Sequence, residues 1–187
     1  KIDILSLDLK ELESALVEMG EKKFRAKQIF QWLHVKKVPD FDKMTDISIQ
    51  LRERLKENFC INGLFVQKRL ESCIDNTVKY LYRLSDGNFV ETVLMKYNYG
   101  YSICVSTQVG CKMGCRFCAS AIAGYVRSLE PSEILMQIYE TEKVGTTSVL
   151  PVGEYTLNIY YNRDGVKGTY NGSEFNFTCN ISNVTFT

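Results

Sequence analysis

Apolar positions in the first sixty residues recur at the spacing of helix faces. Leu9, Leu12, Leu16 and Met19 repeat every three or four residues, which makes one stripe of a helix apolar. Asp8 precedes the stripe, with Glu11 three residues on, the pattern of a capping box; Gly20 suits its C′ position. Phe24, Ile29, Phe30 and Leu33 predict a second helix over 24–33, its aromatic residues in the core. Pro39 breaks the chain, and Ile47, Leu51 and Leu55 predict a third helix over 47–59. The period then changes. "LFVQKRL", "TVKYLYRL", "FVETVLMKY" and "YSICVST" alternate or run apolar with β-branched and aromatic residues, as strands do, and "SDGN" is a turn signal between two of them. A cysteine loop follows. Pro131, suited to a first helical position, then opens "SEILMQIYETEK", with Ile134, Leu135, Ile138 and Tyr139 inward. Strand, loop and helix in that order predict the first βα unit of a larger barrel or sheet. From 145 to 187, "GEYTLNIYY", "GVKGTY", "EFNFTCNI" and "NVTFT" predict short strands with Gly/Asn turns. The fold class expected is α/β, in three parts. A small helical domain spans 1–60, a β-rich connector and barrel start span 61–143, and a β-rich tail spans 144–187.

Charge changes the picture of the helical part. The chain's formal net charge is +1, yet Lys22 to Lys37 holds six Lys/Arg and no acid. From Lys22 to Arg69 there are twelve basic residues against five acidic ones. Lys22, Lys23, Arg25 and Lys27 crowd the first turns of the second helix, against its dipole. A local positive field suits a polyanion such as RNA; a solvated helix face is the plainer alternative. No run of about 18 apolar residues exists, and the first residues lack the apolar core of a signal peptide, so a cytoplasmic protein with no membrane partner is expected. The four Asn-x-Ser/Thr triplets of the tail, at Asn171, Asn176, Asn180 and Asn183, are therefore not read as glycosylation sites.

In a reducing compartment, clustered cysteines read as metal ligands or catalysts before disulfides. "VGCKMGCRFCAS" carries Cys111, Cys115 and Cys118 in a C-x3-C-x2-C array. Structural zinc wants four protein ligands, and the only histidine, His34, ends the second helix, where a solvated or capping role is expected. Three thiolates suit a cubane iron–sulfur cluster, with one iron left open to a small molecule. Gly110 and Gly114 would let the backbone bend around it, and Phe117 would shield it. Zinc and plain structural thiols stay as alternatives. Cys60, Cys73, Cys104 and Cys179, standing apart, read singly as small buried hydrophobes.

The array, with an aromatic just before its third cysteine, resembles the radical S-adenosylmethionine (SAM) superfamily. Five stretches in order, "EKKFRAKQIFQWLH", "FDKMTDIS", "FVETVLM", "CVSTQVGCKMGCRFCAS" and "LEPSEILMQIY", look like the RlmN/Cfr family of RNA methyltransferases. The resemblance covers residues 1 to about 143 and is closest to the RlmN branch. It implies a [4Fe-4S] cluster on Cys111, Cys115 and Cys118, SAM on the open iron, and a 5′-deoxyadenosyl radical formed on reduction. It implies Glu91 as a proton acceptor and Cys104 as the thiol that resolves a protein–RNA adduct. Their plainer readings are an outward polar strand residue and a buried strand cysteine. The substrate implied is an adenine of 23S rRNA, methylated at C2, or at C8 in the Cfr branch, with tRNA as a second substrate of some members. An electron donor such as flavodoxin is implied, and a monomer. The helical domain would help to grip RNA.

The resemblance stops after Lys143. The family's glycine-rich SAM segment and distal cysteine are not found, and Cys179, in "FNFTCNISN", lacks the motif of that cysteine. The tail instead faintly resembles the closing strands of microbial Ig-like repeats. The expectation is therefore a radical SAM methyltransferase chain that is truncated and inactive alone. A non-catalytic RNA- or cluster-binding remnant and a zinc-binding or Ig-like module are the alternatives.

Overall fold

The computed structural model describes residues 1–98, 100–113, 115, 118 and 124–145. The expectations for the tail, for Cys179, Gly114 and Phe117, lie outside the described residues. The chain divides into two compact units, Lys1–Gly63 with Glu130–Met136, and Leu64–Leu129 with the residues from Gln137 on.

The first unit is helical. Helix α1 spans Leu9–Glu18, α2 spans Phe24–His34 and α3 spans Ile49–Asn58. The strand β1 (Ile2–Asp3) lies parallel to β2 (Phe59–Cys60). Asp8 caps α1 as the sequence requires: its carboxylate accepts from Glu11 N at 2.8 Å, and Asp8 N donates to the Glu11 carboxylate at 2.8 Å. Gly20 closes the helix at φ +79°, a conformation that side chains disfavour. Asp8→Ala removes the cap and should cost about 1 kcal/mol, read as a lower urea midpoint of this unit at an unchanged slope.

Three details differ from the periodic reading. Helix α3 starts at Ile49 because the Ser48 hydroxyl caps Leu51 N at 3.3 Å; Ile47 is buried but lies outside the helix. Phe24 is 52% exposed. The buried stripe of α2 runs through Ala26, Ile29 and Leu33, and Phe24 is about 140° round the helix from Ile29. His34, expected in solvent, is buried beside Leu33, with its ring 4.1 Å from that of Phe30.

The second unit is built on a four-stranded antiparallel sheet in sequence order: β3 (Phe65–Glu71), β4 (Val78–Arg83), β5 (Phe89–Tyr97) and β6 (Gly100–Cys104). Alternation on β4 and β5 sends Val78, Tyr80, Tyr82, Val90, Thr92 and Leu94 to one buried face. The helix α4 (Pro131–Gly145) contributes to that face: Tyr82 Oη lies 2.9 Å from Thr141 Oγ1, and Thr92 Oγ1 donates to Gln137 Oε1 at 2.8 Å. The inward set of α4 thus differs from the expected Ile134, Leu135, Ile138 and Tyr139. Tyr139 is buried; so are Met136, Gln137 and Thr141, while the three aliphatic residues are half-buried. Polar side chains displace aliphatic ones there because the sheet offers them hydrogen bonds.

After β6 the chain enters β7 (Gln108–Gly110), passes through the cysteine loop, and returns antiparallel as β8 (Tyr125–Ser128) before α4 begins. Cys111 therefore follows directly on the first strand of a β-ribbon. The strand β8 was not expected, since "YVRS" is too short to give a period. A bifurcated contact from the Arg127 guanidinium to Asp86 Oδ2, at 2.6 and 2.8 Å, ties the ribbon to the β4–β5 turn.

Candidate active site

The residues singled out for chemistry all lie in the second unit. On β5, Glu91 points away from α4, because its neighbours Val90 and Thr92 are the buried ones. On β6, Cys104 is paired with Val93, two residues along from Glu91. Side chains opposite one another, and those two residues apart on a strand, share a face. The register therefore sets Glu91 and Cys104 on one open face of the sheet. Glu91 Oε1 accepts from Lys79 Nζ at 2.7 Å. Both groups are about half exposed, so the pair adds little stability and acts to orient the carboxylate.

Between Cys104 and the cysteine loop the backbone is clamped. The fully buried Gln137 accepts from Ser106 N at 2.8 Å and donates through Nε2 to Ser106 O at 2.9 Å. Ser106 Oγ donates to Glu91 O at 2.7 Å. One glutamine side chain thus fixes the turn that leaves β6 and joins it to the strand carrying Glu91. Sequence periodicity gave no sign of Gln137, Ser106 or Lys79, because each acts through a partner remote along the chain.

At the base of the loop, Gly110 has φ +71° and sits against Gly124, whose carbonyl accepts from Cys111 N at 3.2 Å. A Cβ on Gly110 would lie 1.7 Å from that oxygen, so only glycine fits. Lys112 Nζ lies 4.3 Å from the Tyr125 ring centre, over β8. Cys111, Cys115 and Cys118 are free thiols of intermediate burial. Cys111 Sγ accepts from Met113 N at 3.5 Å, and Cys118 N donates to Cys115 O at 3.1 Å. Among the described residues no three Cys, His, Asp or Glu side chains are gathered closely enough to hold a metal ion. The loop brings the three thiols near one another along the chain without converging them. In donor type they suit an iron–sulfur cluster: three unpaired sulfurs, one already receiving the backbone N–H that such sulfurs use. His34 is buried within the first unit.

Residues 2–61 match the model of the ribosomal RNA large subunit methyltransferase N-terminal domain. A probable dual-specificity RNA methyltransferase RlmN of Lachnoclostridium phytofermentans is 52% identical over 162 residues, 82% of this chain and 45% of that protein. Its namesake in Staphylococcus aureus is 50% identical over 143 residues, 76% of this chain and 39% of that protein. Among solved structures, a radical SAM methyltransferase from Sphaerobacter thermophilus superposes with a TM-score of 0.70 at 34% identity, over 79% of this chain and 43% of that one. The chain spans less than half the length of these relatives. A mixed α/β chain with this helical N-terminal domain, and half its residues in common with proteins of one name over most of its length, is similar to the RlmN family of radical SAM methyltransferases over less than half of their length.

Proposed function

We propose that this chain serves the methylation of an adenine at C2 in 23S rRNA, and in tRNA, as an RlmN-type enzyme. Similarity to that family implies a [4Fe-4S] cluster and SAM as cofactors. The observation that carries the reading is the shared open face of Glu91 and Cys104, on strands that lead through the Gln137 clamp into the three-cysteine loop. Residues 1–60 would serve as an RNA-gripping accessory domain. Residues 61–143 would supply the connector and the first part of the radical SAM core, reduced by a donor such as flavodoxin. A monomeric, cytoplasmic protein suits this reading.

Cys111, Cys115 and Cys118 would hold three irons as thiolates. When bound, such a cluster supplies the electron that cleaves SAM to a carbon radical. The chain's own residues then position and relay protons. Glu91, oriented by Lys79, would accept the proton that the methylated ring gives up as it regains aromaticity. The Cys104 thiolate, on the same face, would form a disulfide with the sulfur of the adduct-bearing cysteine as that sulfur's bond to the RNA-borne carbon breaks, its electron pair leaving with the product. Gln137 and Ser106 keep the two strands in register while this happens.

The test is anaerobic reconstitution with iron and sulfide, followed by incubation with SAM, a reductant and a 23S rRNA fragment. The expected result is about four irons per chain, lost in Cys111→Ala, Cys115→Ala and Cys118→Ala but kept in Cys104→Ala, with no methylated adenosine made by this chain on its own, since the family's glycine-rich SAM segment and distal cysteine are not found in it. 8-Methyladenosine would move the chain to the Cfr-type reaction. Zinc in place of iron would overturn the cluster reading, and 2-methyladenosine made by this chain on its own would overturn the expected inactivity.

A further inference from the structure

The open face of the β3–β6 sheet has the wrong composition for a surface that meets only water. On an antiparallel sheet with one solvated face, outward positions are ordinarily polar. Here β5 presents Phe89, Glu91, Val93, Met95 and Tyr97 to that face, and only Glu91 is charged. The register continues the face in rows across the sheet. Phe65, Arg83 and Phe89 form one row, Lys68, Leu81 and Glu91 the next, and Leu70, Lys79, Val93 and Cys104 the third. Phe65 is 58% exposed, Leu70 49% and Phe89 48%. The Arg83 guanidinium lies over the Phe65 ring, 5.5 Å from its centre, so cation and ring stack on one another in this row.

The charges on this face decide what covers it. Lys68, Lys79 and Arg83 stand against the single carboxylate of Glu91, which Lys79 already balances. An apolar protein partner would have to desolvate Lys68 and Arg83 without compensation. Exposed rings interleaved with cations instead match an unpaired nucleic-acid strand, whose bases stack and whose phosphates want positive charge. The ring of Phe89 is two residues, about 7 Å, along β5 from Glu91. A base held there is a near neighbour of a base presented to Glu91.

Resting on the RNA-methylating reading, we infer that the Phe65–Arg83–Phe89 row is a stacking platform for an unpaired nucleotide of the RNA substrate next to the target adenine. It positions the strand on the same face as Glu91 and Cys104. Stacking is tolerant of base identity, so the row confers grip and register more than sequence choice.

The probe is a labelled, unpaired twelve-nucleotide RNA containing adenine, bound to the full chain and followed by anisotropy at several salt concentrations. Phe65→Leu and Phe89→Leu keep apolar bulk and lose the ring; each should weaken binding at least about five-fold. Arg83→Gln should lower the salt slope by about one. Ile74→Ala, in the exposed β3–β4 turn at 96% exposure, should bind as the parent does. Far-ultraviolet circular dichroism of each variant verifies the fold. Parent binding with ring and guanidinium variants indistinguishable from it would overturn the platform alone. A parent that binds no RNA would overturn the RNA reading with it. Self-association abolished by the ring variants, with RNA affinity unmoved, would assign the face to a second copy and overturn the inference.

Discussion

Gly110→Ala should unfold the base of the cysteine loop. Two effects add at this residue. Its φ of +71° is a conformation in which a Cβ costs about 1–2 kcal/mol. The added carbon would also stand 1.7 Å from Gly124 O and 2.8 Å from Gly124 C, backbone atoms that cannot swing aside. Relief requires the two ribbon strands to separate, which breaks the Cys111 N to Gly124 O hydrogen bond and the Gly110–Tyr125 pairing. The total should be roughly 3–5 kcal/mol of local stability. Gly124→Ala is the internal comparison. It has φ +72° and nothing within 4 Å of its added Cβ, so it should show only the conformational part. Amide hydrogen exchange at Val109 and Arg127 in the two variants reads the difference. Equal protection in both would show that the close approach at Gly110 is not a constraint. The same variant should lower iron loading even though it alters no ligand, because the thiols depend on the ribbon for their presentation.

The second large effect is on pH stability and resides in the helical unit. Burial pushes His34 down from its ordinary value to about 4. The sign follows from linkage. Above about pH 6.5 the imidazole is neutral in both folded and unfolded chains, and stability is unaffected. Between pH 6.5 and 4 the unfolded chain binds a proton that the folded chain refuses. Stability should therefore fall by up to about 1.4 kcal/mol per pH unit, reaching a loss of about 3 kcal/mol near pH 4. His34→Phe, which keeps a ring beside Phe30, should flatten this slope. Asp3 works the other way. Burial raises its carboxyl above the ordinary value, against hydrogen bonds from Leu5 N and Asn62 N. On acidification the folded chain then takes up that proton first, which favours folding. Urea midpoints of wild type and His34→Phe at pH 7, 6, 5 and 4.5 separate the two groups, since Asp3 is common to both. Parallel midpoints in the two proteins across that range would refute the burial argument for His34.

The two predictions mark different depths of legibility. The capping box at Asp8, the C′ glycine at Gly20 and the strand alternation of "FVETVLM" act between residues two to four apart, where covalent geometry alone brings partners together. The C-x3-C-x2-C array is of the same kind: its spacing is its chemistry. These features, with the flanking stretches, were enough to point to the RlmN/Cfr family before any fold was known. Burial was less legible. Helical period placed Phe24 and Phe30 together, yet Phe24 faces water and His34 does not, because the neighbouring elements decide which part of a wide stripe is covered.

The sequence by itself determined the helices, the strands of the sheet, the thiol set and the identity of Glu91 and Cys104 as residues of interest. Only the tertiary structure decided that Glu91 and Cys104 share a face, since a shift of one residue in strand register would have sent one of them to the opposite side. It alone supplied the Gln137 clamp, which joins residues 31 and 45 positions apart through hydrogen bonds that no local pattern encodes. It alone showed that Phe65, Arg83 and Phe89 form a row, because cross-strand neighbours are set by pairing rather than by order along the chain.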